Sequence, residues 1–143
     1  MKLPDVNLLL YAINSADPLH LPARRWLEES LSGEEPFAFD WTVLLAFLRI
    51  STRHGIFRRP LQVKQAFERM NDWLQQPPCL VISPTARHSS VLQDLLLPMG
   101  TGGNLTADAH LAALAIEHSA TLYSADNDFS RFPGLNWINP LER

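Results

Sequence analysis

Four aspartates, at three separate points along the chain, have the residue type and setting of divalent-metal ligands. Asp5 directly precedes an apolar segment, and Asp108 lies near the start of an alanine- and leucine-rich helical segment. Asp126 and Asp128 follow a short apolar run that reads as a strand. Carboxylate oxygens are the ligands that Mg²⁺ and Mn²⁺ prefer. If parallel strands bring their carboxyl ends together, these acids would meet at one edge of a sheet.

Each acid also has an ordinary structural interpretation, which the sequence leaves open. Asp5 is well placed to cap the helix that follows it. Asp108, in the first turn of its helix, would interact favourably with the helix dipole. It also shares a helical face with Ala112 and Ala115, and an acid on such a small-residue face is unusual. Asp126 and Asp128 are common turn residues. The metal hypothesis therefore depends on the three contexts together.

The elements that must position these acids alternate along the chain. Strands are predicted at 2–5, 37–39, 79–82, 121–124 and 136–138. Helices are predicted at 6–14, 19–32, 43–50, 60–75, 85–97 and 105–119. Such alternation indicates an α/β fold with a mostly parallel sheet, in which ligands bind beyond the carboxyl ends of the strands.

Length and composition favour an ordinary soluble protein. The 143 residues are expected to form one domain, 1–143, and the 46% apolar and 19% charged residues are typical of a globular chain. The single cysteine, Cys79, lies in a segment that reads as a buried strand and has no internal disulfide partner. The sequence has neither a signal-peptide pattern nor an apolar run of membrane-spanning length. We therefore expect a cytoplasmic protein without membrane attachment.

A basic segment interrupts an otherwise slightly acidic chain. The net charge of -3 argues against a generally basic nucleic-acid binder. Six of the twelve lysines and arginines nevertheless fall between residues 49 and 69, beside one acid. Arginine suits phosphate contacts, although a solvated helix face and loop would have the same composition. The candidate RNA-binding residues are Arg49, Arg53, Arg58 and Arg59.

Other candidate motifs are weaker. The five histidines show no zinc-ligand spacing, and His110, two residues from Asp108, is expected on another helix face with a surface role. The glycine-rich segment 100–104 precedes a helix and would either cradle a phosphate or form a turn. Trp26, Trp41 and Trp73 are expected in the core or at an interface.

Three segments carry a family resemblance. They are Leu3-Pro4-Asp5-Val6-Asn7-Leu8-Leu9, Asn104-Leu105-Thr106-Ala107-Asp108-Ala109-His110-Leu111-Ala112-Ala113-Leu114-Ala115 and Thr121-Leu122-Tyr123-Ser124-Ala125-Asp126-Asn127-Asp128-Phe129-Ser130-Arg131-Phe132. In these the chain resembles the PIN domain family, and within it the VapC toxins of bacterial type II toxin–antitoxin pairs. The resemblance covers essentially the whole chain and is most specific in its last third.

The resemblance implies a three-layer α/β/α sandwich and a metal-dependent endoribonuclease that hydrolyses RNA with a metal-activated water. It implies Mg²⁺ as cofactor, with Mn²⁺ as an alternative. A homodimer and a small cognate antitoxin are the implied protein partners. Asp5, Asp108 and Asp126 become catalytic metal-binding acids, with Asp128 a supporting one. Asn7 and Ser124 would orient the ligands or water from beside them.

One position departs from the family pattern. The family usually has a glutamate in the helix after the second strand, and Phe47 is its equivalent here. Asp40, at the end of the preceding strand, is a possible compensating acid. If it does not compensate, the chain would be a catalytically weak PIN-fold module that binds an antitoxin or RNA. A metal-dependent phosphohydrolase of another parallel-sheet fold is a third class, disfavoured because Lys2 and Lys64 are the only lysines.

Overall fold

A sheet of five parallel strands forms the centre of the computed structural model, which describes residues 1–142. The strands are β1 (Lys2–Pro4), β2 (Phe37–Asp40), β3 (Cys79–Ile82), β4 (Thr121–Tyr123) and β5 (Trp137–Ile138). Their order in the sheet is β3-β2-β1-β4-β5, and every pairing is parallel. The predicted parallel α/β architecture is confirmed.

Six α-helices flank the sheet and complete a three-layer α/β/α arrangement. They are α1 (Val6–Ile13), α2 (His20–Leu31), α3 (Trp41–Ser51), α4 (Val63–Leu74), α5 (His88–Leu96) and α6 (Thr106–Glu117). Helix α1 packs on α2 and α3, α3 packs on α4, and α5 packs on α6. None of the helices within residues 1–142 is both long and apolar enough to cross a membrane.

The core lies where the central strands are covered by helices on both faces. Leu3, Phe37, Phe39 and Leu122 are fully buried, as expected for parallel strands. Strand β3 is the exception, and the prediction of a buried strand at 79–82 was wrong. It is an edge strand paired only with β2, so Leu80 and Val81 remain 40% and 44% exposed. Of the tryptophans, Trp73 is buried, Trp26 is partly buried and Trp41 is 47% exposed, which excludes Trp41 from the core.

The helix predicted at 60–75 begins three residues later, at Val63. Residues 52–62 form a loop, which the buried Phe57 side chain anchors to the core. The Leu61 N–H donates back to the Ser51 carbonyl at the end of α3. Gln62 has extended backbone angles, and its N–H donates to Oε1 of Gln65. This capping bond fixes the start of the helix.

Candidate metal centre

The pairing of β1 with β4 places two of the polar segments side by side. Pro4 lies opposite Tyr123 in the register, so Asp5 and Ser124 both follow at the carboxyl ends of adjacent strands. The Asp5 N–H extends the ladder by donating to the Tyr123 carbonyl at 2.8 Å. This is the sheet edge at which open parallel sheets bind ligands.

Ser124 is a hydrogen-bonding hub for this corner and is fully buried. Its hydroxyl donates to Oδ2 of Asp5 at 2.8 Å. It accepts from the Asp126 N–H at 3.0 Å and from Nδ2 of Asn7 at 3.1 Å. Oδ1 of Asp5 accepts from the Val6 N–H at 2.7 Å, so this acid also caps α1. Asp5 is therefore held in one orientation from both sides.

Helix α6 brings Asp108 to the same edge from a distant part of the sequence. Asp108 lies in the first turn of α6. It lines a cavity of about 630 Å³ together with Asp5 and with residues of α3, among them Ala46 and Arg49. Much of the remaining wall is apolar. Two acids from separate segments thus share one cavity, with an arginine at its side.

The charges of the acids influence one another. The pKa of Asp108 is raised from 3.8 to about 6, first by burial and then by the charges of Asp5, Asp126 and Asp128. The pKa of Asp5 is also raised, chiefly by burial and further by Asp126, against the lowering effect of its bonds to Ser124 and Val6. Carboxylates that repel in this way are neutralised by a proton or by a cation.

The donor set fits a hard cation that keeps much of its water. Among residues 1–142, no three His, Cys, Asp or Glu side chains stand close enough together to form a complete protein cage for an ion. Mg²⁺ does not require one, because it commonly binds through one or two carboxylates and several waters. Neither oxygen of Asp5 is saturated by its single hydrogen bond, so both retain lone pairs for a cation or its waters.

Asp126 and Asp128 differ in their surroundings. Asp126 is partly buried, and its Oδ1 accepts from the Asp128 N–H at 2.9 Å, which closes the turn after β4. Asp128 is exposed and lies 3.6 Å from the Arg131 guanidinium, an ion pair that contributes little at the surface. The turn-forming and metal-binding interpretations of this segment are compatible, with Asp128 in the outer position.

The Asp40 carboxylate contacts different residues from those around Asp5. Its Oδ2 accepts a hydrogen bond from the Thr42 hydroxyl and lies 3.2 Å from Nε2 of His110. Burial raises its pKa, but the bonds from His110 and Thr42 outweigh burial and leave the pKa lowered. Asp5 and Asp108 therefore line one cavity within electrostatic range of Asp126, whereas Asp40 contacts a histidine instead.

The surface role predicted for His110 was wrong, because its ring links two parts of the fold. Nδ1 of His110 lies 3.0 Å from Nε2 of His88, and Nδ1 of His88 lies 2.5 Å from Glu117. Glu117 also accepts from the Thr85 hydroxyl, and these bonds lower its pKa despite burial. His110 and Glu117 are seven residues apart on α6 and so share a face, which was the available sequence signal. The contact with His88 required the tertiary structure.

Ala46 of α3 lines the acid cavity, whereas Phe47 does not. Phe47 is fully buried, and its ring packs edge-on against Trp73 at 4.8 Å between centroids. Thr42, Ala46 and Arg49 line the acid cavity, at the i, i+4 and i+7 spacing of one helix face. Phe47, the position that the resemblance equates with the usual glutamate, is thus a core residue in this chain, and Ala46 lies about 100° away around the helix on the cavity side.

Raising the pH is expected to destabilise the metal-free protein through Asp108. Its pKa is about 6 when folded and near 3.8 when unfolded, so the folded state binds the proton more tightly. The stabilisation that this proton provides is complete below about pH 4 and is lost as the pH rises through about 6. Urea unfolding in EDTA, compared between wild type and Asp108→Asn, isolates the effect. A wild-type free energy of unfolding that rises with pH relative to the variant would contradict it.

Replacing Ser124 with alanine is expected to weaken metal binding by about 10- to 100-fold, the usual effect of losing a group that orients a ligand. The variant also leaves the Asp126 N–H and the Asn7 amide without their acceptor, at about 1–3 kcal/mol for each buried group. Calorimetry with Mn²⁺ and thermal unfolding measure the two effects. Ser90→Ala, an exposed site on α5, is the matched control, and equal metal affinity in all three proteins would refute the role of Ser124.

Comparison with known proteins places the chain in a family. The model of the PIN domain matches residues 2–135. Ribonuclease VapC37 of Mycobacterium tuberculosis is 47% identical over 140 residues, covering 98% of this chain and 97% of the relative. Ribonuclease VapC33 of the same species is 37% identical over 141 residues, with 99% of each chain covered.

Solved structures show the same fold at lower identity. A structure of VapBC2 from Rickettsia felis bound to a promoter DNA fragment contains a chain that matches with a TM-score of 0.71, at 22% identity, covering 96% of this chain and 97% of that one. VapBC-1 from nontypeable Haemophilus influenzae contains a chain that matches with a TM-score of 0.70, at 14% identity, covering 99% and 98%. With its parallel sheet and the acids at its carboxyl edge, this chain belongs to the PIN domain family, as a VapC-type member.

Proposed function

We propose that this protein is a metal-dependent endoribonuclease, the toxin of a VapBC-type toxin–antitoxin pair. The observation that carries the proposal is that Asp5 and Asp108 share one cavity within electrostatic range of Asp126. Burial first, and the charges of these neighbouring acids second, raise the pKa of Asp108 there to about 6. The names of relatives that align over nearly the whole chain, Ribonuclease VapC37 and Ribonuclease VapC33, support RNA as the substrate. Mg²⁺ is the proposed cofactor, with Mn²⁺ as the alternative.

The proposed mechanism assigns each group a task. When bound, the divalent cation supplies Lewis-acid chemistry, which lowers the pKa of a water and neutralises charge on the phosphate. Asp5, at the end of β1, would hold the cation, and Ser124 and Val6 fix the orientation of its carboxylate. Asp108 and Asp126 complete the negative site from α6 and the turn after β4. Much of the cavity wall is apolar, which lowers the local dielectric constant and strengthens these charge interactions.

The arginines near the cavity are proposed to bind the RNA backbone. Arg49 lines the acid cavity itself. Arg53, Arg58 and Arg59 lie exposed in the loop after α3, and none of the four forms an ion pair with an acid within residues 1–142. Unpaired guanidinium groups are free to make bidentate phosphate contacts.

RNA binding is expected to weaken as salt concentration rises, and less steeply when these arginines are removed. Each phosphate contact contributes about 0.7 to the slope of log affinity against log salt for a single strand. The double variant Arg58→Gln/Arg59→Gln should lower the slope by about 1.4, measured by fluorescence anisotropy with a labelled RNA. Arg87→Gln, an exposed arginine beside α5, is the control. An unchanged slope would remove Arg58 and Arg59 from the interface.

A cognate antitoxin and a second copy of the chain are the proposed protein partners. Several structural neighbours are named as toxin–antitoxin complexes, which supports the antitoxin. We propose that helices α2 and α4 form the groove for either partner. Trp26 and Trp73 are occupied by packing against other aromatic rings, whereas Phe67 on α4 is 42% exposed and available for contact.

A catalytically weak binding module is the second candidate function. The observation that favours it is that α3 presents Ala46 to the acids and no carboxylate, while Asp40 is engaged by His110 and Thr42. This protein would bind an antitoxin or RNA tightly but show no measurable Mg²⁺ binding by calorimetry.

Cleavage of single-stranded RNA by the purified protein separates the two candidates. The ribonuclease proposal expects cleavage with Mg²⁺ or Mn²⁺, none with EDTA, and recovery when metal is restored. Cleavage that persists in EDTA would reject the metal mechanism. Absence of cleavage together with tight RNA or partner binding would establish the binding module.

A further inference from the structure

A second cavity opens beside the acid cavity and shares two of its wall residues, Thr42 and Ala107. Its volume is about 660 Å³, well within the range of pockets that enclose small ligands. Leu92, Asn104 and His110 complete much of its lining. Because the two cavities adjoin, an RNA strand with a phosphate at the acids would bring a neighbouring nucleoside to this second cavity.

The glycine-rich segment shapes one wall of this cavity. Gly100 and Gly103 have φ angles of +70° and +42°, which side chains other than glycine rarely adopt. A Cβ on Gly102 would lie 2.9 Å from the Thr106 hydroxyl oxygen, so a larger residue there would displace that hydroxyl. The segment thus holds Asn104 and Thr106 in fixed positions at the cavity.

The free polar groups of the lining are few. The Thr42 hydroxyl donates to Asp40, and both ring nitrogens of His110 are taken by Asp40 and His88. His110 therefore offers a ligand its ring carbons, in a ring held still at both ends. Asn104 and Thr106 make no side-chain hydrogen bond within residues 1–142, and the Asn104 amide has both donors and an acceptor.

The charges around the cavity favour a neutral ligand over an anionic one. Among residues 1–142, no lysine or arginine lines the cavity, and Asp108 lies in the first turn of α6 beside it. A phosphate would meet this negative charge without a cation to offset it. A nucleobase suits the lining better, because its faces can stack on apolar groups and an imidazole while its edge bonds to an amide.

We infer that this cavity binds the base of a nucleotide next to the scissile phosphate, and that Asn104 reads the hydrogen-bonding edge of that base. The inference rests on the proposed ribonuclease activity for its biological setting. Asparagine can bond an adenine edge with two hydrogen bonds, whereas the apolar lining discriminates little between bases. Sequence preference at one position beside the cut is therefore assigned to Asn104.

Two measurements test the inference, one with and one without catalysis. The first sequences the products of a randomised single-stranded RNA cleaved with Mn²⁺ by wild type, by Asn104→Ala and by the control Asn71→Ala, an exposed position on α4. Wild type and the control should share a preference at one flanking position. Asn104→Ala should lose it, with kcat/KM on the preferred sequence reduced about 5- to 150-fold and Mn²⁺ affinity unchanged.

The second measurement follows backbone amide signals by NMR while each of the four ribonucleosides is added to the metal-free protein. One nucleoside should shift Asn104 and Thr106 more than the other three do, and Asn104→Ala should abolish that difference. Cleavage with the same base preference in Asn104→Ala would overturn the inference and leave the ribonuclease intact. If wild type cleaves no RNA, the ribonuclease proposal fails. Selective nucleoside shifts at Asn104 would then support the base site, and their absence would overturn it.

Discussion

Replacing Asp108 with asparagine is expected to abolish metal binding at neutral pH and to stabilise the metal-free protein. Asp108 is the acid whose pKa is raised to about 6 by burial and by three neighbouring carboxylates. Asparagine removes that repulsion but has no charge to attract a cation. Loss of a group that only orients a ligand weakens metal binding about 10- to 100-fold, so loss of the ligand should have at least that effect.

The measurement is thermal unfolding with and without Mn²⁺, supported by calorimetry. Wild type should gain stability with Mn²⁺, because an ion that binds only the folded state shifts the unfolding equilibrium. Asp108→Asn should show a higher melting temperature in EDTA and no shift with Mn²⁺. Asp72→Asn, an exposed acid on α4, should behave like wild type. A full Mn²⁺ shift in Asp108→Asn would exclude this residue as a ligand.

Adding a glutamate to α3 is expected to raise metal affinity at position 46 and to unfold the protein at position 47. Ala46 lines the cavity of Asp5 and Asp108, so Ala46→Glu adds a carboxylate at the metal centre and should raise metal affinity about 10-fold or more. Phe47→Glu instead removes a fully buried ring from its contact with Trp73 and leaves a charge in the core.

The expected loss for Phe47→Glu is large enough to unfold the protein. Truncating a buried phenylalanine costs about 3–5 kcal/mol, and an uncompensated buried charge adds several more. The sum is comparable with the whole stability of a typical protein, about 5–15 kcal/mol. Circular dichroism and calorimetry distinguish the variants, with Ala46→Gln as the uncharged control for size. A folded, tight-binding Phe47→Glu would mean that position 47, and not 46, faces the acids.

The sequence predicts the elements well because their signals are local. Proline, glycine and asparagine break the chain between periodic apolar segments, and two helices follow each of the first three strands. The start of α4 was predicted too early because Pro60 is a good first residue of a helix. In the structure, Leu61 bonds back to Ser51, and this tertiary contact keeps residues 52–62 in a loop.

The candidate site was only partly predictable, because it depends on which strands are neighbours and which helix faces meet. Asp5, Asp108 and Asp126 could be singled out, since each follows a strand or begins a helix. The effect of neighbouring charges on the pKa values of Asp5 and Asp108 depends on the pairing of β1 with β4, which the sequence does not specify.

The directions of individual side chains on α3 and α6 were the least predictable part of the site. Ala46 and Phe47 are both apolar, so hydrophobic pattern alone does not determine which one faces Trp73 and which faces the acids. His110 looked exposed because it is polar and two residues from Asp108. Its partners Asp40 and His88 come from other elements, and their contacts with it are visible only after folding.

Cleavage by Asp5→Asn tests the central claim most directly. Asp5 is the acid held from both sides by Val6 and Ser124. Asparagine keeps its size and an oxygen that accepts from the Val6 N–H, while its amide nitrogen replaces the oxygen that accepts from Ser124. The initial rate of cleavage of a single-stranded RNA with Mg²⁺ should therefore fall to the level seen with EDTA, while the variant remains folded. A folded Asp5→Asn that cleaves at the wild-type rate would contradict the proposed metal centre.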